Sequence, residues 1–131
     1  MFRTIVLIFA GGALGAVLRE VLMLRVPRLL DGFPLDILVA NLVASFLLGW
    51  VTALHSRKFV SDGANTLLGT GVSGGLSTFS SFAYGVAVLM AASAAGAVVA
   101  AAYVAISLVA GYFAISIGLA IGRRRPSKPP N

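Results

Sequence analysis

The stretch GTGVSGGLSTFSSF, residues 69–82, places glycines and hydroxyl side chains inside an otherwise apolar segment. If that segment crosses a membrane, its glycines predict a helix break that leaves carbonyl groups without helical partners. Those carbonyls must then bind another chain, water or an alkali cation. Phe79 and Phe82 share a face if a helix resumes there, and the positive edges of their rings can contact an anion. A simple kink with ordinary packing of both rings is the alternative explanation.

Two polar stripes could line a pathway for such an anion. On the second apolar segment, small or polar residues recur at steps of three or four: Asn41, Ser45, Gly49 and Thr52. The amide of Asn41 can donate to an anion without carrying charge, which suits a site that must also release its ion. On the fourth segment, Tyr103, Ser107 and Gly111 share a face. Packing between helices would also explain both stripes.

A charged residue stands late in the first apolar segment. Arg19 is costly there unless it pairs, reaches the interface or lines water, which makes it a candidate pathway residue. Alternatively, Arg19 and Glu20 simply mark the end of the helix. Before them, Gly11 and Gly15 form a small-xxx-small pair that lets another helix approach closely.

Helices must position these residues, because the 131-residue chain is 59% hydrophobic and only 11% charged. That composition, with a mean hydropathy of +0.99, predicts an all-α integral membrane protein. Four apolar segments, at about 4–24, 36–54, 64–90 and 97–121, are each long enough to cross about 30 Å of hydrocarbon. We expect one four-helix transmembrane domain over residues 1–122 and a basic, disordered tail over residues 123–131.

Basic residues flank the apolar segments and predict an orientation. Seven fall on one side of a four-span arrangement: Arg3, Arg57, Lys58, Arg123, Arg124, Arg125 and Lys128. Arg25 and Arg28 fall on the other side, so the positive-inside rule places both termini in the cytoplasm of a multi-pass cell-membrane protein. The net charge of +6 therefore indicates contact with anionic lipid headgroups rather than with nucleic acid.

The side chains that enzymes use are scarce in this sequence. The chain has no cysteine, which excludes disulfides, thiolate metal sites and thiol nucleophiles. Its single histidine, His55, stands beside Arg57 and Lys58 without a cluster of carboxylates or metal ligands. We therefore expect that the protein is not an enzyme.

Four motifs occur in order on the four segments: GGALGAVLR at 11–19, NLVASFLLG at 41–49, GVSGGLSTFSSF at 71–82 and AYVAISLVAG at 102–111. Together they resemble the small bacterial and archaeal fluoride channels of the Fluc, or CrcB, family. The third motif is the most specific, because its run of two glycines, hydroxyl residues and paired phenylalanines at a helix break is rare by chance.

The resemblance implies a fluoride-specific channel, built as an antiparallel, dual-topology dimer of four-helix subunits with the third helix broken in mid-membrane. It implies passive export of cytoplasmic fluoride down its electrochemical gradient, which relieves fluoride toxicity, and one structural Na+ at the dimer centre. Carried over by position, the fluoride pathway comprises Asn41, Phe79, Phe82, Ser80, Tyr103, Ser107 and Arg19. The implied Na+ ligands are the backbone carbonyls of Gly74 and Ser77.

The chain departs from the family pattern at several positions. Asp36 and Ile37 replace a Gly-Thr pair, Gly85 replaces a common glutamate, and Glu20 replaces a common aromatic residue. With the excess of basic residues on one side, these changes favour an obligate heterodimer with an oppositely oriented paralogue, in which only one pathway need conduct. A dimer of the chain with itself is the alternative.

Two other functions fit parts of the sequence. A proton-coupled exporter of the small multidrug resistance class has a similar length, but it depends on a glutamate in the middle of helix one. The only candidate here is Glu20, which lies late in that segment beside Arg19. A non-conducting membrane scaffold needs only small-residue packing, but it leaves the polar stripes and the paired phenylalanines unexplained.

Overall fold

The computed structural model describes residues 1–26 and 32–124. It contains four helical spans that are long and apolar enough to cross a membrane: Phe2–Arg25, Leu35–Ser56, Asp62–Ala92 and Ala94–Arg124. The predicted all-α class with four spans is confirmed, and each predicted span lies inside the corresponding observed one. Arg28 and residues 125–131, which make up most of the predicted tail, lie outside the described residues.

The third span is made of several pieces, whereas the others are single helices. Helix α1 is Phe2–Arg25, α2 is Leu35–Ser56 and α6 is Ala94–Arg124. The third span comprises α3 (Asp62–Asn65), a π-helical segment (Thr66–Val72), α4 (Ser73–Leu76) and α5 (Phe79–Ala92). Only Ser93 separates α5 from α6, and its hydroxyl accepts a hydrogen bond from the Gly96 N–H at 3.0 Å. Ser93 thus caps the start of α6. The connection between α5 and α6 is one residue long, shorter than the gap between the predicted spans 64–90 and 97–121.

Glycines let α1 pack directly on the third span. A Cβ atom on Gly15 would overlap the carbonyl oxygen of Val72, and one on Gly11 would lie 2.9 Å from the Cα atom of Gly71. Real Cβ atoms do not approach backbone so closely, so only glycine fits at these two positions. The small-xxx-small pair on α1 therefore brings the two helices into backbone contact, as expected for such a pair.

Helices α2 and α6 form a second close pair. A Cβ atom on Gly49 would overlap the carbonyl oxygen of Ile115, and one on Gly118 would overlap that of Phe46. Gly111, by contrast, has no atom within 4 Å of its Cβ position, so packing between the described helices does not explain this member of the α6 stripe. A buried cluster joins α2 to α5 and α6: Leu38, Leu89, Ala100 and Tyr103.

Three basic residues of the described part, Arg3, Arg57 and Arg123, lie at one end of the bundle, whereas Arg25 ends α1 at the other. A guanidinium nitrogen of Arg3 lies 3.2 Å from the Cβ position of Gly63, and Arg57 donates a hydrogen bond to the backbone carbonyl of Arg123. The start of α1, the connection between α2 and α3, and the end of α6 therefore lie together. This arrangement is the one expected when four consecutive spans alternate in direction.

Candidate functional site

The helical backbone of the third span is interrupted at Ser77 and Thr78. Helix α4 ends at Leu76, Ser77 (φ −75°, ψ 152°) and Thr78 (φ −146°, ψ 109°) are extended, and α5 begins at Phe79. The glycines predicted to cause the break lie before it, within the π-helical segment and α4. Three of them, at 69, 71 and 75, have neighbouring atoms close to their Cβ positions, so they serve close packing.

Thr78 closes the start of α5. Its hydroxyl accepts a hydrogen bond from the Ser81 N–H at 3.2 Å, which is the usual role of an N-cap residue. The same oxygen lies 2.9 Å from the Ser81 hydroxyl and 3.4 Å from the Ser80 hydroxyl. Three hydroxyl groups therefore cluster at the beginning of α5, although Thr78 itself is only 6% exposed.

Asn41 holds the interruption from the side of α2. Its side-chain carbonyl oxygen accepts a hydrogen bond from the Thr78 N–H at 2.7 Å, and its amide nitrogen donates to the Thr78 carbonyl at 3.3 Å. In an extended residue the N–H and C=O point to the same side, so one amide can bind both. A primary amide carries two N–H donors, and the second of these remains for another acceptor.

Several of the predicted pathway residues line one cleft beside the interruption. This cleft, which we call the aromatic cleft, has a volume of 280 Å³ and is lined by Asn41, Ser45, Ser77, Thr78, Phe79, Phe82, Ser107 and Leu108. Phe79 is 81% exposed, so the cleft is open on the surface of the chain. The amide, the paired rings and the Ser107 hydroxyl thus meet in one place, although they come from α2, α5 and α6.

A row of aromatic rings backs the aromatic cleft. The ring centres of Phe79 and Phe82 are 6.0 Å apart, and those of Phe82 and Tyr103 are 5.2 Å apart. Tyr103 is fully buried and also meets Phe33 edge to face, with ring centres 5.2 Å apart. Tyr103 therefore supports Phe82 from behind and does not itself line the cleft.

A second cleft lies on the other side of Ser77. This cleft, which we call the carbonyl cleft, has a volume of 370 Å³ and is lined by Ala44, Ser45, Leu48, Gly69, Thr70, Ser73, Gly74 and Ser77. The Ser77 hydroxyl donates to the Gly74 carbonyl at 3.3 Å. Both predicted cation ligands therefore border this cleft, close to the C-terminal end of α4, where helix carbonyls carry partial negative charge.

Arg19 and Ser80 lie apart from the other predicted pathway residues. The Arg19 guanidinium donates to the carbonyl of Gly75 at 3.4 Å and so contacts α4, but it lines neither cleft. Ser80 belongs to the hydroxyl cluster at the start of α5. Glu20, the glutamate considered for an exporter, has an exposed side chain.

The positions that depart from the family pattern also lie outside the two clefts. Asp36 and Ile37, in the first turns of α2, are 2% and 6% exposed, and Asp36 interacts electrostatically with Tyr103. Gly85 and Ile37 border a smaller cleft of 180 Å³ with Pro34 and Tyr84. The changes at these positions therefore leave the lining of the aromatic cleft intact.

Sequence reasoning missed Thr78, which contributes both its backbone and its hydroxyl to the site. Its residue type indicated a hydroxyl in a polar stretch, but its partner Asn41 is 37 positions away. Reasoning from an N-cap signature could have found it, because threonine is one of the residue types preferred immediately before a helix start. The π-helical segment before α4 was missed as well, and glycines at 69 and 71 were its only signal.

Comparison with known proteins assigns a family. The family model described as CrcB-like protein, Camphor Resistance (CrcB), matches residues 6–119. Fluoride-specific ion channel FluC 2 of Brucella melitensis is 57% identical over 124 residues, which is 95% of this chain and 46% of the relative. This chain therefore spans about half the length of that relative.

Relatives of similar length also match. Fluoride-specific ion channel FluC 3 of Yersinia pseudotuberculosis is 47% identical over 130 residues, covering 99% of this chain and 96% of the relative. Fluoride-specific ion channel FluC of Ignicoccus hospitalis is 35% identical over 122 residues, covering 93% and 97% of the two chains.

Proposed function

The chain belongs to the CrcB family of multi-pass membrane proteins, and from that premise we propose that it is a subunit of a fluoride-specific ion channel. The channel exports fluoride from the cytoplasm across the cell membrane, passively and down the electrochemical gradient, and so relieves fluoride toxicity. The observation that carries the proposal is the aromatic cleft, where Asn41, Phe79, Phe82 and Ser107 meet.

The chemistry of the aromatic cleft suits a small anion that holds its water tightly. Fluoride gives up hydration only where hydrogen-bond donors and polarised groups replace it. The second N–H of Asn41 and the Ser107 hydroxyl are such donors, and the edges of the Phe79 and Phe82 rings carry partial positive charge. These groups are uncharged, so they bind fluoride weakly enough for it to leave.

A second subunit is needed to enclose the pathway. The aromatic cleft is open, and Phe79 is 81% exposed on the surface of one subunit. We propose an antiparallel dimer, in which the partner is either a second copy or an oppositely oriented paralogue. The unequal distribution of flanking basic residues favours the paralogue.

A structural Na+ at the dimer centre fits the carbonyl cleft. Hard cations take oxygen ligands, usually about six, and the backbone carbonyls of Gly74 and Ser77 supply two on one subunit. A two-fold related partner would supply two more, so the site is incomplete in one subunit. The ion would contribute the positive charge that balances carbonyl dipoles from both subunits.

Fluoride efflux from liposomes that contain only this protein tests the proposed function. We expect fast efflux at a fluoride electrode, insensitive to chloride and abolished by Phe82→Ile. Phe9→Ile is the control, because Phe9 on α1 is 79% exposed, much like Phe79, but lies outside both clefts.

The outcomes of this experiment separate the alternatives. Efflux from the protein alone supports a homodimer, and efflux that appears only after co-reconstitution with a paralogue supports the heterodimer. Silence under both conditions would refute the channel and favour a non-conducting scaffold. Equal loss of efflux in Phe82→Ile and Phe9→Ile would show that the paired rings have no special role.

A further inference from the structure

The hydrogen bonds between Asn41 and Thr78 also affect the neighbouring residue Ser77. The stronger one joins the Asn41 side-chain oxygen to the Thr78 N–H at 2.7 Å. That N–H belongs to the same planar peptide group as the carbonyl of Ser77, and in a trans peptide the two bonds point in opposite directions. Fixing the direction of the Thr78 N–H therefore fixes the direction of the Ser77 carbonyl.

Few other contacts hold this peptide group. The Ser77 N–H is bonded to the Ser73 carbonyl at 3.0 Å, which closes the last turn of α4. Between that turn and α5, the plane of the Ser77–Thr78 peptide can rotate about Ser77 ψ and Thr78 φ. Because neither residue is helical, no intrahelical bond restrains these two torsions, and the Asn41 amide supplies the restraint.

The two clefts meet at this peptide group. Asn41 and Thr78 line the aromatic cleft, Gly74 lines the carbonyl cleft, and Ser77 borders both. We propose that Asn41 is a positioning residue for the cation site: through the Thr78 N–H, it aims the Ser77 carbonyl into the carbonyl cleft. This inference rests on the proposed function, because it assumes that the carbonyl cleft holds the structural Na+.

The proposal gives Asn41 two roles that different atoms perform. Its oxygen orients the Ser77 carbonyl, and its remaining N–H faces fluoride. A hydrogen bond to the peptide N–H also polarises the group, which makes the Ser77 oxygen a better cation ligand. The state of the cation site and the state of the fluoride pathway are therefore linked through one peptide plane.

Substitutions at Asn41 separate its acceptor from its donor. Asn41→Leu removes both groups at similar volume, whereas Asn41→Asp keeps an oxygen that can accept from the Thr78 N–H. The serine oxygen of Asn41→Ser is one atom too short to reach that N–H. Asn65→Leu is the matched control, because it makes the same chemical change in the third span at a residue that lines neither cleft, although its side chain packs against Gly69 of the carbonyl cleft.

The measurement is thermal unfolding of the purified full chain in detergent, without fluoride, as Na+ replaces N-methylglucamine. Because ligand stabilisation grows with the logarithm of the Na+ concentration above Kd, the concentration at which Tm begins to rise, which we call the onset concentration, reports cation binding and does not depend on transport. We expect Asn41→Leu to raise this onset concentration about tenfold, the effect typical of losing a group that orients a metal ligand. Asn41→Asp and Asn65→Leu should not raise it.

The possible results have distinct meanings. A normal Na+ onset concentration in Asn41→Leu would overturn the inference and leave the proposed channel intact, because Asn41 would then act on fluoride alone. A wild-type protein whose Tm does not change with Na+ would overturn the proposed cation site, and this inference with it. If Asn41→Leu does not fold, Asn41→Ser should raise the onset concentration relative to Asn41→Asp, and equal onset concentrations would count against the proposal.

Discussion

At the residue scale, Thr78 stabilises the start of α5, because its hydroxyl caps this helix. Thr78→Val keeps the shape of the side chain but removes the acceptor for the Ser81 N–H. We expect a loss of about 1 kcal/mol, the usual value of an N-cap, measured as a lower Tm in detergent. Thr78→Ser keeps the oxygen and should stay near wild type. If the valine and serine variants unfold at the same temperature, the cap does not contribute.

The ring and the hydroxyl of Tyr103 make different contacts, so substitutions can test their contributions separately. Its ring lies between Phe33 and Phe82, with both ring centres at 5.2 Å, while its hydroxyl oxygen is buried one helical turn from the Ser107 hydroxyl. Tyr103→Phe should preserve the Tm. Because the Tyr103 hydroxyl interacts with the side chain of Ser107, which lines the aromatic cleft, its removal should slow fluoride efflux about fivefold, the factor expected from one hydrogen bond of about 1 kcal/mol.

A Tyr103→Leu control distinguishes the two contributions. Leucine removes the ring that supports Phe82, so both Tm and efflux should fall. Unchanged efflux in Tyr103→Phe would show that the hydroxyl plays no part in conduction and that Tyr103 serves packing alone.

Residue types and helical spacing could predict which side chains gather at the site. Asn41 and Ser107 were found because they repeat on one face of their helices, and Phe79 and Phe82 because they are three apart. The sequence could not show that Asn41 binds the backbone of Thr78. That contact depends on the dihedral angles of two extended residues and on how closely α2 approaches them.

At the scale of elements, backbone contact between α1 and the third span sets the geometry of the site. Gly15 on α1 lies where a Cβ atom would overlap the Val72 carbonyl and come within 2.8 Å of the Leu76 nitrogen. Gly15→Ala should therefore push α1 away from α4 and cost about 1–3 kcal/mol of stability. Thermal unfolding in detergent measures this loss.

Gly12→Ala provides the control on the same helix. No atom lies within 4 Å of the Gly12 Cβ position, so this variant should be at least as stable as wild type, because alanine favours helix. Equal destabilisation by both substitutions would show that the loss in Gly15→Ala does not come from its close contact with the third span.

The lengths of the spans were predictable because burial in hydrocarbon demands continuous apolar helices, and each observed helix extends the predicted span by only a few residues. The place where the third span stops being helical was harder to predict. Glycines permit either flexibility or close packing, and those at 11, 71 and 75 are used for packing. The extended residues are Ser77 and Thr78, whose backbone groups find partners on α2 and α4.

At the scale of the whole molecule, the groups of the proposed pathway lie on an open surface of the chain. The aromatic cleft and the carbonyl cleft are both open, and they share Ser45 and Ser77 at their boundary. A partner that covers one cleft therefore lies next to the other. This adjacency explains why cation binding, subunit assembly and fluoride conduction would depend on one another.

The distribution of charge over the molecule leads to a prediction about orientation. Arg3 lies beside Gly63 and Arg57 bonds to the Arg123 carbonyl, so these three basic residues lie at one end of the bundle, which we expect to face the cytoplasm. Because the chain has no cysteine, Ser56→Cys reports on this end and Ala94→Cys on the opposite end. In intact cells an impermeant maleimide should label the cysteine at 94, whereas the one at 56 should react only after permeabilisation.

A single orientation of this kind requires an oppositely oriented paralogue for an antiparallel dimer. Partial labelling of both cysteines in intact cells, with a rise at both after permeabilisation, would instead show dual insertion, and the chain could then pair with itself.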